Sequence, residues 1–90
     1  MLKVGVIGAG HLGKIHLKLL KQSEKYELIG FYDSFQENGK KVEAEFGYKY
    51  FSSMEELIDN VDVVDIVTPT LSHYEVALKV IEKNKHFFIE

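Results

Sequence analysis

The sequence predicts an α/β chain built on a doubly wound parallel sheet with helices on both faces, and three observations point there. Short, nearly all-apolar runs of strand length alternate with amphipathic runs of helix length from end to end. No Pro/Gly/Ser linker, low-complexity tract or internal repeat interrupts them. The first apolar run ends in a glycine-rich turn that opens into a helical pattern. Parallel strands joined by right-handed helical crossovers are the economical topology for this alternation. The expected strand order is 3-2-1-4-5 in three αβα layers, with a crevice at the carboxyl ends of strands one and four, where the order reverses.

Taken in order, Lys3-Val4-Gly5-Val6-Ile7 reads as a strand buried on both faces, ending at Gly8. From His11 to about Ser23, Leu12, Ile15, Leu19 and Leu20 recur at helical spacing with Lys14, Lys18 and Lys21 opposite, which predicts an amphipathic helix. Tyr26 to Asp33, rich in aromatic and β-branched residues, is strand two. Phe35, Gly39, Val42 and Phe46 mark one face of a second helix, and Gly47 stands where a glycine stops it. Tyr48-Lys49-Tyr50-Phe51 predicts a short third strand. Ser53 with Glu56 forms a capping box ahead of Leu57 and Ile58, hence a short third helix. Val61 to Val67 is the clearest strand, stopped by Thr68-Pro69 because proline lacks the donor a central strand requires. Ser72 and Glu75 repeat the capping-box spacing before a fourth helix striped by Tyr74, Ala77, Leu78 and Ile81, and His86 to Glu90 is a fifth strand.

Ninety residues, 46% hydrophobic and 28% charged, make one domain, and a chain of that length buries about 60 to 65% of its unfolded surface. One core and one ligand cleft fit; separate cofactor and substrate domains do not. The absence of cysteine removes disulfides, thiolate metal sites and a Cys nucleophile, and suits a reducing cytoplasm. No run reaches the roughly 18 to 20 apolar residues of a membrane span, and the start lacks a signal-peptide h-region. A net charge of −3 without a basic stripe argues against a nucleic-acid surface. All eleven basic residues are Lys.

The chemistry concentrates at the crevice. Gly8-Ala9-Gly10-His11-Leu12-Gly13 is a G-x-G-x-x-G between a strand and a helix, the context a Rossmann-type dinucleotide fingerprint requires. Gly8 makes the tight turn, Gly10 admits a pyrophosphate to the backbone, and Gly13 lets helix and strand pack closely. The unpaired N–H groups and positive dipole end of the helix then hold an anion without a cationic side chain. The plainer alternative is a glycine-rich turn with no ligand. Asp33, twenty residues after Gly13, is placed to accept hydrogen bonds from the adenosine ribose, bonds worth about 1.5 to 3 kcal/mol to a charged acceptor. The same carboxylate repels the 2′-phosphate of NADP, and no Arg exists to pair with it, so NAD is expected over NADP, although Ser34, Lys40 and Lys41 could partly compensate. Thr68-Pro69-Thr70, at the end of strand four, can border the nicotinamide-side ribose or simply end the strand. His16 and His73 read as helix residues, and Asp62 and Asp65 as structural hydrogen-bonding groups. No carboxylate pair, His-x-x-x-His set, metal cluster or Ser/His/Asp arrangement points to catalysis by this chain itself.

Gly8-x-Gly10-x-x-Gly13-x-x-His16, Asp33, Thr68-Pro69-Thr70 with His73, and the closing His86-Phe87-Phe88-Ile89-Glu90 together resemble the amino-terminal half of the glucose-fructose oxidoreductase/inositol dehydrogenase/MocA family along the whole chain. The resemblance implies an NAD(P)-dependent oxidoreductase of sugars, cyclitols or similar alcohols. It also implies cofactor-side roles for Gly8 to Gly13, Asp33, Ser34, Thr68 to Thr70, His73 and Glu90. In that family the last strand runs into Glu-Lys-Pro, and a second α/β domain supplies substrate contacts and the catalytic Asp and His. These ninety residues reach only the Glu, so the expectation is a cofactor module that binds NAD and turns nothing over by itself. A non-catalytic NAD-sensing domain is the alternative, and a methyltransferase fits less well because its adenosylmethionine has no pyrophosphate. The edge of the last strand could recruit a second copy.

Overall fold

The computed structural model describes residues 1–68 and 70–89; the side chains at 70–73 and 88 lie outside that description. The elements in chain order are β1 (Leu2–Ile7), α1 (His11–Gln22), β2 (Tyr26–Tyr32), α2 (Gln36–Phe46), α3 (Met54–Asp59), β3 (Val63–Ile66), α4 (Thr70–Glu82) and β4 (His86–Ile89). The strands run parallel in the order β2-β1-β3-β4, so the chain winds outward from β1 to one side and then crosses over to the other, as a doubly wound sheet requires.

The expected third strand shrinks to a single parallel bridge between Phe31 and Tyr50 on the outer edge of β2. Phe31 N–H donates to the Lys49 carbonyl at 2.9 Å and Phe51 N–H to the Phe31 carbonyl at 2.8 Å, which keeps the 3-2-1-4-5 order while cutting the ladder to one rung. Gly47 ends α2 in the left-handed region (φ 80°), and Ser53 already caps α3, its hydroxyl accepting from Glu56 N–H at 3.3 Å. Between them only Tyr50 is bridged to β2.

Alternation along the strands feeds two apolar cores. On one face Val6 packs with Ala9, Leu17, Phe31 and Val42, under α1 and α2. On the other Ile7, Val64 and Ile66 pack with Leu57 and Ile58 of α3 and Val76 and Val80 of α4. Each fully buried Val, Leu, Ile or Phe contributes about 1.5 to 3 kcal/mol. Gly5 belongs to this packing, since a Cβ there would stand 2.7 Å from Leu57 Cδ1.

Two helices present a different face from the one their spacing suggests. In α1 the buried residues are Gly13 and Leu17; of the expected stripe Leu20 packs partly buried against the core, while Leu12, Ile15 and Leu19 are exposed. In α4, Val76 and Val80 are buried; of the expected stripe Ala77 packs partly buried against the core, while Tyr74, Leu78 and Ile81 are exposed. Both helices carry two adjacent apolar stripes, and tertiary contact chooses between them. In α1 the choice is made by Gly13, which alone can approach the turn before the helix; Leu17, one turn on, follows it inward. The stripe of α2 holds at its centre, Gly39 and Val42, but its ends Phe35 and Phe46 are exposed. Helix α4 begins at Thr70, so Ser72 falls inside its first turn instead of ahead of it.

The rotation of α1 also brings His16 over β3, where its Nδ1 lies 2.5 Å from Asp65 Oδ2. Asp65 is 1% exposed, a carboxylate in the middle of a strand buried along its whole length. Burying a polar group there is costly unless it is hydrogen-bonded, and the imidazole supplies one such bond. Asp62, expected to be structural like Asp65, accepts from Lys3 N–H at 2.9 Å at the foot of β1. Replacing His16 by Leu alone should cost about 3 kcal/mol in urea unfolding, whereas His16→Leu combined with Asp65→Val should recover most of that loss. A double variant no more stable than the single one would contradict this account of the pair.

Candidate functional site

The turn from β1 into α1 is built by three glycines with three different surroundings. Gly8 has φ 107°, a region that favours glycine, and a Cβ there would lie 2.6 Å from the Val67 carbonyl oxygen. Its N–H donates to the Tyr32 carbonyl at 2.8 Å, so the turn is wedged between the ends of β2 and β3. At Gly13 a Cβ would fall 2.0 Å from the Gly8 carbonyl oxygen, a backbone atom that cannot move aside. Gly10 is the exception. Its φ of −73° and ψ of −163° suit any residue, and a Cβ there would meet nothing within 4 Å.

Gly10 is also the N-cap of α1, and no side chain caps the helix or places an acid in its first turn. The first N–H groups of a helix have no partner within it, and the macrodipole adds partial positive charge at the same place. They open onto a cleft of about 750 Å³ at the carboxyl ends of β1 and β3, within the usual range for small-molecule sites. The cleft brings together Gly8, Ala9, Gly10, His11, Leu12, Gly13, Asp33, Ser34 and Thr68. Pro69, Glu90 and the side chains of Thr70 and His73 lie outside the described residues.

Asp33, the first residue after β2, is 9% exposed. Its Oδ1 accepts from Phe35 N–H at 3.4 Å, closing a turn, and its Oδ2 accepts from the Asn38 side-chain amide. The same Asn38 nitrogen donates to the Ala9 carbonyl at 3.1 Å. Behind them the Tyr50 hydroxyl donates to the Asp33 carbonyl at 3.4 Å. Burial first, then the nearby Tyr32 and Asp33, holds the Tyr50 phenol above its ordinary pKa, so it remains a donor at neutral pH. On the far side of the cleft, Thr68 Oγ1 is buried with no hydrogen-bond partner among the described residues. Buried hydroxyls are normally satisfied, and a ligand in the cleft is one way to satisfy this one.

The cleft is also bordered by Tyr32, Phe35, Asn38, Met54, Glu75, Val76 and Lys79, which the sequence pattern did not place at the crevice. Lys79 reaches from α4 to Glu55 on α3 at 2.6 Å, a pairing that holds the Glu55 carboxyl below its usual value and the Lys79 ammonium above its own. For Asn38 a signal existed. It is the third residue of α2, the position whose side chain in a capping box turns back toward the residues before the helix. Among the described residues, no helix is long and apolar enough to cross a membrane.

The arrangement suits an elongated anionic ligand with hydroxyl groups: an anion at the start of α1, a hydroxyl-bearing unit at Asp33, and a second polar unit near Thr68. Comparison with known proteins identifies the family. The chain is 37% identical to the glucose-6-phosphate 3-dehydrogenase of Bacillus subtilis (strain 168), over 100% of the chain and 26% of that protein. It is 38% identical to the UDP-N-acetylglucosamine 3-dehydrogenase of Acidithiobacillus ferrooxidans, over 99% of the chain and 28% of that protein. A solved structure of the latter superposes with a TM-score of 0.86 at 37% identity, covering 98% of this chain and 28% of the other. A gentamicin A biosynthesis protein solved in complex with NAD is 26% identical, with a TM-score of 0.87 over 98% of this chain and 26% of the other. The chain thus spans little more than a quarter of these proteins' lengths. Residues 2–90 match the model of the oxidoreductase family with an NAD-binding Rossmann fold, the glucose-fructose oxidoreductase/inositol dehydrogenase/MocA group, and the chain belongs to that family.

Proposed function

We propose that this chain is the cofactor-binding part of a dehydrogenase that oxidises a carbinol of a sugar, cyclitol or similar alcohol, with NAD preferred over NADP. One observation carries the cofactor reading. Gly8 and Gly13 are explained by the fold, but Gly10 is not, since neither its backbone angles nor its neighbours require glycine. A ligand that lies against the backbone at the start of α1 does require it. The dehydrogenase names of both relatives weigh against the sensing alternative.

In this reading the N–H groups of α1's first turn, from His11 to Gly13, hold the pyrophosphate. Asp33 accepts the adenosine ribose hydroxyls, with Ser34 beside it, and Thr68 meets the second ribose. Pro69, Thr70, His73 and Glu90 complete the nicotinamide side, as the family resemblance implies. The bound nicotinamide supplies hydride transfer, and the chain's own residues bind and orient it. Alone, the ninety residues bind NAD and turn nothing over; the carbinol proton is taken by groups outside them. The acidic charge, the absence of a basic stripe and the absence of cysteine support a cytoplasmic protein that binds neither nucleic acid nor membrane. Pairing of two copies along the β4 edge is part of the same proposal.

Calorimetric titration of the purified chain should detect NAD binding at millimolar ligand, while assays with polyols and NAD should show no turnover. Failure to bind overturns the cofactor reading, and steady turnover overturns the claim that the chain is inactive alone. The substitution Gly10→Ser should separate stability from binding. Serine is at least as good an N-cap as glycine, so the melting temperature should hold or rise by the equivalent of a few tenths of a kcal/mol. Its side chain fills the cradle, so NAD affinity should fall about tenfold or more. Unchanged affinity would remove the main support for the site. Asp33→Ala should narrow the NAD over NADP preference, measured as the ratio of dissociation constants, and an unchanged ratio would show that Asp33 does not read the ribose.

A further inference from the structure

Asn38 occupies a position that the three glycines and Asp33 leave unexplained. It sits half-buried in the first turn of α2, with its side-chain nitrogen between the Asp33 carboxylate and the Ala9 carbonyl. Both neighbours are acceptors, so only the NH₂ end of the amide fits between them, one hydrogen to each. No other side chain within hydrogen-bonding distance makes this double contact among the described residues. The amide thus ties the backbone of the glycine turn after β1 to the Asp33 side chain in the turn after β2.

The consequence lies in what remains of the Asp33 carboxylate. An ionised carboxylate has about four acceptor positions. Phe35 N–H takes one on Oδ1 and the Asn38 amide takes one on Oδ2, so one lone pair on each oxygen is left for a vicinal diol. A carboxylate held at both oxygens also cannot swing away from a phosphate placed beside it. A neutral amide achieves this without neutralising the charge, as a lysine or arginine in the same place would.

We infer that Asn38 is a specificity-determining positioning residue: through its bond to Asp33 it fixes the carboxylate in the orientation that accepts an unmodified ribose diol and repels a 2′-phosphate. The inference rests on the cofactor reading above and deepens it. Asn38 touches neither reacting atoms nor substrate; it acts through Asp33, and through Ala9 it steadies the phosphate turn.

The test is a double-variant cycle read as the ratio of NADP to NAD dissociation constants, measured calorimetrically on the chain. Asn38→Ala keeps a strong helix former in α2 and should narrow the ratio about tenfold, because a freed carboxylate both serves the diol less well and yields to the phosphate. In an Asp33→Ala background the same substitution should leave the ratio within about twofold, since its target is gone. Asn38→Leu, close in volume but without donors, repeats the measurement should the alanine variant fail to fold. A general loosening of the fold would weaken both dinucleotides equally and leave the ratio alone. If the wild-type chain binds NAD and both Asn38 variants keep its ratio, the inference is overturned and the cofactor reading stands. A ratio that shifts equally with and without Asp33 also overturns it, because Asn38 would then act by another route. If the wild-type chain binds neither dinucleotide, the cofactor reading fails and takes this inference with it.

Discussion

A Cβ at position 13 would lie 2.0 Å from the carbonyl oxygen of Gly8, and a Cβ at position 8 would lie 2.6 Å from the carbonyl oxygen of Val67. These two backbone contacts press the turn after β1 against both α1 and the end of β3, and most of the molecule's organisation follows from them. They fix the rotation of α1 about its own axis. With Gly13 turned inward, Leu17 enters the core one turn later, His16 comes to rest over Asp65, and Leu12, Ile15 and Leu19 are left facing out. They also fix where the helix begins, so that its uncapped N-terminus opens at the carboxyl edge of the sheet and not against another element.

The sheet carries the consequence across the cleft. Because β1 lies between β2 and β3, the residues that follow those two strands stand on opposite sides of the glycine turn. Asp33 follows β2 and Thr68 follows β3, and the three together make a cleft with the uncapped start of α1 in the centre and polar groups on both flanks. The site is therefore assembled by chain topology with few side chains. This is how an acidic chain without a single arginine can offer an anion a place: the attraction comes from oriented backbone N–H groups, which carry no net charge.

Much of this was legible in the residues, and the parts that were not share a cause. The alternation of apolar runs, the spacing of Gly8, Gly10 and Gly13, and Asp33 at the end of the second strand are local patterns, and each fell where its pattern implied. The inward faces of α1 and α4 were not legible, because each helix carries two neighbouring apolar stripes and periodicity cannot choose between them; contact with the turn and the sheet does. The third strand was legible as an extended segment next to β2 but not in its extent, which is one bridge at Tyr50 between the helix stop at Gly47 and the helix start at Ser53. Of Asn38 only its place as the third residue of a helix was visible. One asparagine in the first turn of a helix is unremarkable until folding brings Ala9, from another part of the chain, to its second hydrogen.

The central claim is that the open backbone at the start of α1, flanked by Asp33 and Thr68, is where a dinucleotide lies. Amide proton–nitrogen correlation spectra of the ¹⁵N-labelled chain, recorded as NAD is added, test it residue by residue. The account predicts that the largest shifts fall on the N–H groups of Gly10 to Gly13, with smaller ones around Asp33 to Phe35, at Thr68 and Thr70 and at Glu90, while the amino-terminal ends of the strands and the carboxyl ends of the helices stay still. Shifts centred on any other part of the chain, or none at millimolar NAD, would contradict it.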